Sequence, residues 1–285
     1  MTDYSKITTE LPVTVGISQD LLNAPLFVLN PKSASLTNIL VVKWKEEKTI
    51  NGRVQTIKRK FSYIRSTAEP FPTVSHAIYL DILLCLFAKN WSEDGILYFR
   101  YTDILIAAGK SIKSSATPIQ ITIQRYRRHQ TEWESIDEDG RIDNINYPII
   151  RASSILDSDG QIIKGKKAKN PRRANSQDNW HTVTFDQEIV KALDPKKEQK
   201  RFLLTKAFKI LKADSFCVYR YYYGFPDTRI DTVTGKKQPV HHFRSLEQLH
   251  KIFNWTGRQN RFKPWLEARF AELLKHNLID KPFWT

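Results

Sequence analysis

The spacing of hydrophobic positions along this chain changes at about residue 73. Before it, residues 36–44 and 54–64 carry apolar, β-branched and basic residues suited to strands, and Asn51-Gly52 between them favours a tight hairpin turn. Pro70 and Pro72 close this part off. From Thr73 the apolar residues fall at helical spacing, and Ile78, Ile82, Leu83, Leu86 and Phe87 predict an amphipathic helix over residues 75–90. A turn at Asp94-Gly95 leads into a short apolar strand at 96–99 and a short helix at 102–108 stopped by Gly109. Thr117-Pro118 opens another helix, with Thr as its cap and Pro in the first helical position, running to about His129. Residues 133–136, a turn at 137–140 and residues 141–145 then predict a hairpin. Helix, strand, helix, helix, hairpin is the order of a winged helix-turn-helix unit.

Residues 160–178 interrupt the pattern. They are polar and aperiodic, and Lys164, Lys166, Lys167, Lys169, Arg172 and Arg173 follow one another with no acidic residue between them. This reads as a basic loop or linker, suited to a long wing or an arm along DNA; the plainer alternative is a solvated charge run. Residues 180–185 then alternate like a strand, and 200–213 read as an amphipathic helix through Phe202, Leu203, Ala207, Phe208, Ile210 and Leu211. Residues 214–223 add a helix. Ser245 and Gln248 form a capping box for another over 245–255, with Leu246, Leu249, Ile252 and Phe253 on one face. After a turn at Thr256-Gly257, a long helix over 260–276 ends in Asn277, and 278–283 read as a closing strand. The expected fold is therefore α+β, mainly helical: an N-terminal extended or β-hairpin arm (1–72), a first winged-helix domain (73–160), the basic loop or linker (161–179) and a second winged-helix domain (180–285).

Charge narrows the function. The net charge is +15 and the isoelectric point near 9.7, which a polyanionic partner explains most simply, since each Lys or Arg placed on a phosphate releases condensed counterions. An anionic membrane would call for a basic amphipathic helix or a lipidation signal, and neither is present in the sequence. The longest apolar run, 78–88, is broken by Asp81 and is far too short to span a bilayer, and residues 1–10 lack the apolar core of a signal peptide. A soluble, cytoplasmic protein is expected. Cys85 and Cys217 sit in helix interiors, with no CxxC pair, so neither a disulfide framework nor structural zinc is expected; no metal or other cofactor is implied.

Two stretches suit DNA. In the helix from Thr117, the residues Gln120, Gln124, Arg127 and Arg128 make a polar stripe opposite Ile119 and Ile123, with Thr122 and Arg125 beside it. Arg can pair with guanine and Gln with adenine in the major groove, and Thr can reach a methyl group or a phosphate. Around the start of the last long helix, Arg258, Asn260, Arg261, Lys263 and Arg269 cluster where free N–H groups and the helix dipole also favour a phosphate. An exposed face that touches nothing is the alternative for each.

Other motifs fail. Ala108-Gly109-Lys110-Ser111 ends like a phosphate-binding loop, but position 104, where its first glycine belongs, is Ile104. Tyr219, Tyr221, Tyr222 and Tyr223 could supply a nicking nucleophile, but the metal-holding histidine pair with one residue between is missing, His241 and His242 being adjacent. Acidic residues form no evident two-metal site.

The stretch Tyr98-Phe99-Arg100-Tyr101-Thr102-Asp103-Ile104-Leu105-Ile106-Ala107-Ala108-Gly109-Lys110, with the basic helix after it, resembles plasmid replication initiators of the replication initiator A type. Residues 183–192 followed by 200–212 look like the start of the second winged-helix domain of such proteins. The resemblance implies a non-enzymatic initiator that binds repeated double-stranded DNA sites at an origin, opens the duplex or recruits host replication proteins, and forms homodimers that repress its own promoter. A winged-helix transcription regulator, a DNA nickase or nuclease, and an RNA-binding protein are the alternatives the sequence leaves open.

Overall fold

The computed structural model describes residues 10–18, 26–29, 39–50, 53–65, 69–136, 142–156, 162, 179–196, 200–223, 228–230, 237–239, 246–253, 255 and 257–279. Outside them lie the Asn51-Gly52 and 137–140 turns, the basic residues Lys164, Lys166, Lys167, Lys169, Arg172 and Arg173, the pair His241-His242, Ser245 of the expected cap, Thr256 and most of the expected closing strand.

In chain order the elements are β1 (Thr14–Ser18), β2 (Ile39–Ile50), β3 (Arg53–Ile64), α1 (Val74–Lys89), β4 (Ile96–Arg100), α2 (Tyr101–Ala107), α3 (Thr117–Arg128), β5 (Gln130–Ile136), β6 (Ile142–Tyr147), β7 (Ile150–Ile155) and β8 (Trp180–Phe185). There follow α4 (Gln187–Leu193), β9 (Lys200–Leu204), α5 (Ala207–Ile210), α6 (Ala213–Tyr223), β10 (Thr228–Ile230), β11 (Lys237–Pro239), α7 (Leu246–Ile252), a 3-10 turn (Gln259–Arg261) and α8 (Phe262–Lys275). The α+β class is found, but strand and helix are about equally represented among the described residues, so the balance is not mainly helical.

The difference lies in strands whose partners are remote. Residues 200–204 were expected to begin a helix; they form β9, antiparallel to β1 from Thr14↔Leu204 to Ser18↔Lys200. So short an apolar run is compatible with either period, and a partner strand most of the chain away decides it. Of the expected helix, 207–210 form α5 and Ala213 begins α6. Leu278 and Ile279, the first residues of the expected closing strand, belong to no strand.

The N-terminal hairpin is as expected. Strands β2 and β3 pair from Ile39↔Ile64 to Ile50↔Arg53, a register that leaves two residues for the turn. The expected hairpin at 133–145 also forms, as β5 and β6, but it extends the first one: β5 pairs with β3, giving one sheet in the order β2-β3-β5-β6. Strand β4 pairs instead with β8, and β8 with β7, in a separate three-stranded sheet ordered β4-β8-β7. The chain between β7 and β8 is the stretch that carries the basic run; beyond Ile155 the Leu156 N–H still donates to the Trp180 carbonyl at 2.8 Å, and Leu156 makes an isolated antiparallel bridge to Ile162. Strand β8 thus joins a sheet with β4 across the 161–179 stretch, and β1 reaches β9 from the N-terminal end.

Helix α1 sits at the centre of the core. Every residue of it from Tyr79 to Phe87 is buried, charged Asp81 included, so this stretch is enclosed on every side rather than amphipathic as the spacing predicts, because neighbours pack around the whole helix. It packs against α3, α6, β1 and β4. Each fully buried Leu, Ile or Phe there contributes about 1.5–3 kcal/mol. Asp81 accepts a 2.7 Å bond from Nε of Arg220 on α6, with both side chains almost wholly enclosed. Burial pushes the Asp81 carboxyl above its ordinary pKa despite the charge of Arg220. Cys85 and Cys217 are free, buried thiols, as the sequence suggests.

Candidate nucleic-acid interface

Helix α3 begins one residue earlier than expected: Ala116 is its N-cap, Thr117 its first residue and Pro118 its second. Its start is held by Ser115, whose hydroxyl accepts from the Thr117 N–H at 3.2 Å. Ile119, Thr122, Ile123 and Tyr126 are its buried residues. These positions, spaced by three, four and seven, make one helical stripe, and the opposite face carries the charge.

Thr122, expected to reach DNA, belongs to the buried stripe. It is 0% exposed and its hydroxyl donates to the Pro118 carbonyl at 2.7 Å. Arg125 is likewise turned inward. Its guanidinium donates to the Phe71 carbonyl at 3.3 Å and lies 3.3 Å from Nε2 of His76, bracing the segment that leads into α1. Burial lowers its pKa, opposed by Glu69. Neither residue is presented to a ligand.

The other four expected residues stay together. Gln124, Arg127 and Arg128 are exposed and Gln120 is half-buried, hydrogen bonded to the Tyr101 hydroxyl. Burial pushes that phenol up to about 12, against the effect of the Gln120 bond. All four line a groove of about 440 Å³ that runs beside α3. Its other wall is Ser153, Ser154 and Ile155 of β7, Ile162 and Thr182 of β8, and its floor includes Phe99, Tyr101, Ile123 and His181. In the floor the Tyr101 and His181 rings stack, their centroids 3.8 Å apart at 25°. Arg127 crosses the groove to donate to the Ser153 hydroxyl at 3.3 Å. The site therefore offers two guanidinium groups and two side-chain amides on a helix, facing hydroxyls on the hairpin that carries the basic run. Such a set donates to phosphate oxygens and to base acceptors.

At the start of α8, Arg258, Asn260, Arg261 and Lys263 are all exposed, as expected. Arg258 has extended backbone and its carbonyl accepts from the Trp255 indole at 3.3 Å. Lys263 lies 3.9 Å from Glu267, one turn on. Arg269 is not part of this cluster. It lies over the Trp265 ring and 3.7 Å from Asp214 of α6, with its side chain 21% exposed, because it points to the packed side of α8 two turns from the N-terminal basic cluster.

With both faces defined, the chain can be compared with known proteins. Its fold resembles that of RctB. The crystal structure of domains 2 and 3 of RctB aligns with a TM-score of 0.50 and 13% identity, over 90% of this chain and 85% of that one. At that identity the likeness is one of fold. No family model and no curated protein matches the sequence.

The tyrosine cluster reads as packing. Tyr219 is 0% exposed and its hydroxyl accepts from the Leu204 N–H at 2.9 Å, tying α6 to β9. Tyr221 is buried against Phe253, and Tyr222 meets Phe270 of α8 edge-on. Lys110, in the motif that resembles a phosphate loop, donates its backbone N–H to Leu105, and Gly109 to Ile106, so Gly109 (φ 67°) closes α2 in a Schellman turn. Among the described residues no cluster of three or more His, Cys, Asp or Glu could hold a metal, and no helix is long and apolar enough to cross a membrane.

Sequence reasoning missed Ser153, Ser154 and Thr182. Residues 150–155 show neither alternation nor an apolar run, so nothing marked β7 as a strand. It also missed Glu69, which sits on the α3 face, accepting from Gln124 Nε2 at 2.9 Å and pairing with Arg128.

Proposed function

We propose that this chain is a non-enzymatic, sequence-specific double-stranded DNA-binding protein with two winged-helix units, acting as a replication initiator at repeated sites of a plasmid-type origin. The observation that carries the reading is the groove, where the half-buried Gln120 and the exposed Gln124, Arg127 and Arg128 of α3 stand beside a hairpin whose connection holds six basic residues. The order strand, helix, helix, strand, basic connection, strand, with the sheet ordered β4-β8-β7, supports the reading of a winged unit. In this reading α3 enters the major groove, the β7–β8 connection is the wing that follows the backbone, and the hairpin β5–β6 is an insertion that joins the N-terminal arm. The exposed basic start of α8 is the second contact. The initiator role, rather than that of a transcription regulator built from the same parts, follows the resemblance of residues 98–110 to plasmid replication initiators, and the fold shared with domains 2 and 3 of RctB supports the architecture of that reading. Host replication proteins and a second copy of the chain are the further partners this role entails, in a cytoplasmic setting.

The test is retention of random duplexes at about physiological salt, followed by sequencing of what is held. Enrichment of one motif supports the reading, and uniform retention overturns it. On the enriched duplex Arg127→Ala should cost about 1–3 kcal/mol, with a smaller loss on random duplex. Cleavage of bound DNA in magnesium would overturn the non-enzymatic part.

A further inference from the structure

We propose that Glu69 is an intramolecular competitor for DNA, holding in the free protein two side chains that a duplex must take. The inference rests on the reading of α3 as a DNA-contacting helix. Oε1 of Glu69 accepts from the Gln124 amide at 2.9 Å and pairs with the Arg128 guanidinium. Gln124 and Arg128 are four residues apart, one above the other on the exposed face of α3. One carboxylate oxygen thus engages a donor of each, and a carboxylate offers to an amide and a guanidinium what a phosphate oxygen or a base acceptor offers.

Glu69 is well placed for this. It precedes Pro70, and the segment after it is fixed: Phe71 is buried, its carbonyl accepts from Arg125, and the Pro72 carbonyl accepts from the Val28 N–H at 2.9 Å. The backbone therefore keeps Glu69 in register with α3 while the side chain can swing away. The side chains of Arg128 and Glu69 are 41% and 28% exposed, so the pair is solvent-screened and weak enough for a duplex to displace. Its effect is to lower affinity for every duplex that has to open it.

The experiment compares wild type, Glu69→Gln, Arg128→Ala and the double variant for binding to a random-sequence duplex at about physiological salt, with a thermal melt of each protein. Glu69→Gln keeps the shape and an acceptor for Gln124 but removes the charge. It should bind about two- to tenfold more tightly, the range expected for releasing one exposed ion pair and the repulsion between carboxylate and phosphate. The gain should shrink markedly in the Arg128→Ala background, where only the Gln124 contact and the carboxylate–phosphate repulsion remain. A gain of the same size there would overturn the proposal, since it would reflect net charge alone. Weaker binding by Glu69→Gln with a lower melting temperature would overturn it in favour of a brace. Equal binding by wild type and Glu69→Gln would overturn it alone, whereas no binding by either would overturn it together with the DNA-binding reading.

Discussion

Arg125 and Thr122 lie among the glutamines and arginines of α3 in sequence and on its other side in space. The stripe Ile119, Thr122, Ile123, Tyr126 was there to be read, but a threonine in it passes equally for a polar residue on the outer face. Arg125 is harder: its place follows from Phe71 and His76, which nothing local to α3 reveals. The same contact has a consequence for pH. His76 lies between donors, the Thr73 N–H at 3.2 Å from Nδ1 and Arg125 at Nε2, and burial first, then Arg125, lowers its pKa to about 4. Burial also lowers His129 to about 4, opposed by the Pro70 backbone and reinforced by the charges of Arg125 and Arg65. Between about pH 4 and 6.5 the unfolded chain binds these protons and the folded chain does not, so stability falls as pH falls through that window. Each ring should account for up to about 3 kcal/mol. Urea unfolding at stepped pH checks this: the loss should shrink in His129→Phe, and an unchanged midpoint between pH 6.5 and 4 would contradict it.

At the scale of elements, what was legible was local. The Asn51-Gly52 pair in the sequence pointed to a hairpin, and β2 and β3 pair in the register it implies; the helical period marked α1 and α3, and Gly109 and Asn277 marked helix ends. Both caps are Schellman turns in which the residue after the C-cap has positive φ, 67° at Gly109 and 51° at Asn277. Strands whose partners lie far along the chain were not legible: β7 carries no pattern, and β9 shows an apolar run that only β1 turns into a strand. Gly109 has a second duty, because a Cβ there would stand 3.1 Å from the Lys209 Cα and 3.2 Å from its carbonyl oxygen. Gly109→Ala should therefore destabilise the protein by about 1–3 kcal/mol, from the left-handed backbone and the crowded neighbour together. Chemical denaturation measures it, and a loss below about 0.5 kcal/mol would mean the α2 cap tolerates a side chain.

At the scale of the molecule, the chain is interleaved. Strand β1 pairs with β9, β8 pairs with β4, and a buried ion pair joins α1 to α6. The sequence hints at the last: Asp81 breaks an otherwise apolar run, and a buried carboxylate demands a partner. Its being Arg220, 139 positions away, is visible only in the fold. Asp81→Ala should cost about 3–5 kcal/mol by leaving the buried Arg220 charge without its carboxylate, while replacing both with apolar residues of similar size should recover most of the loss. If the two variants melt alike, the pair does not hold the halves together. This coupling matters for function because it would fix the α3 and α8 faces relative to one another on a duplex.

That arrangement is tested most directly by a hydroxyl-radical footprint of the full chain on the duplex recovered by selection. Two basic faces on one rigid chain should protect more than one helical turn, with separate protected patches, and Arg127→Ala should weaken the patch assigned to α3 while leaving the other. A single patch within one turn, or protection that follows no sequence, would contradict the account.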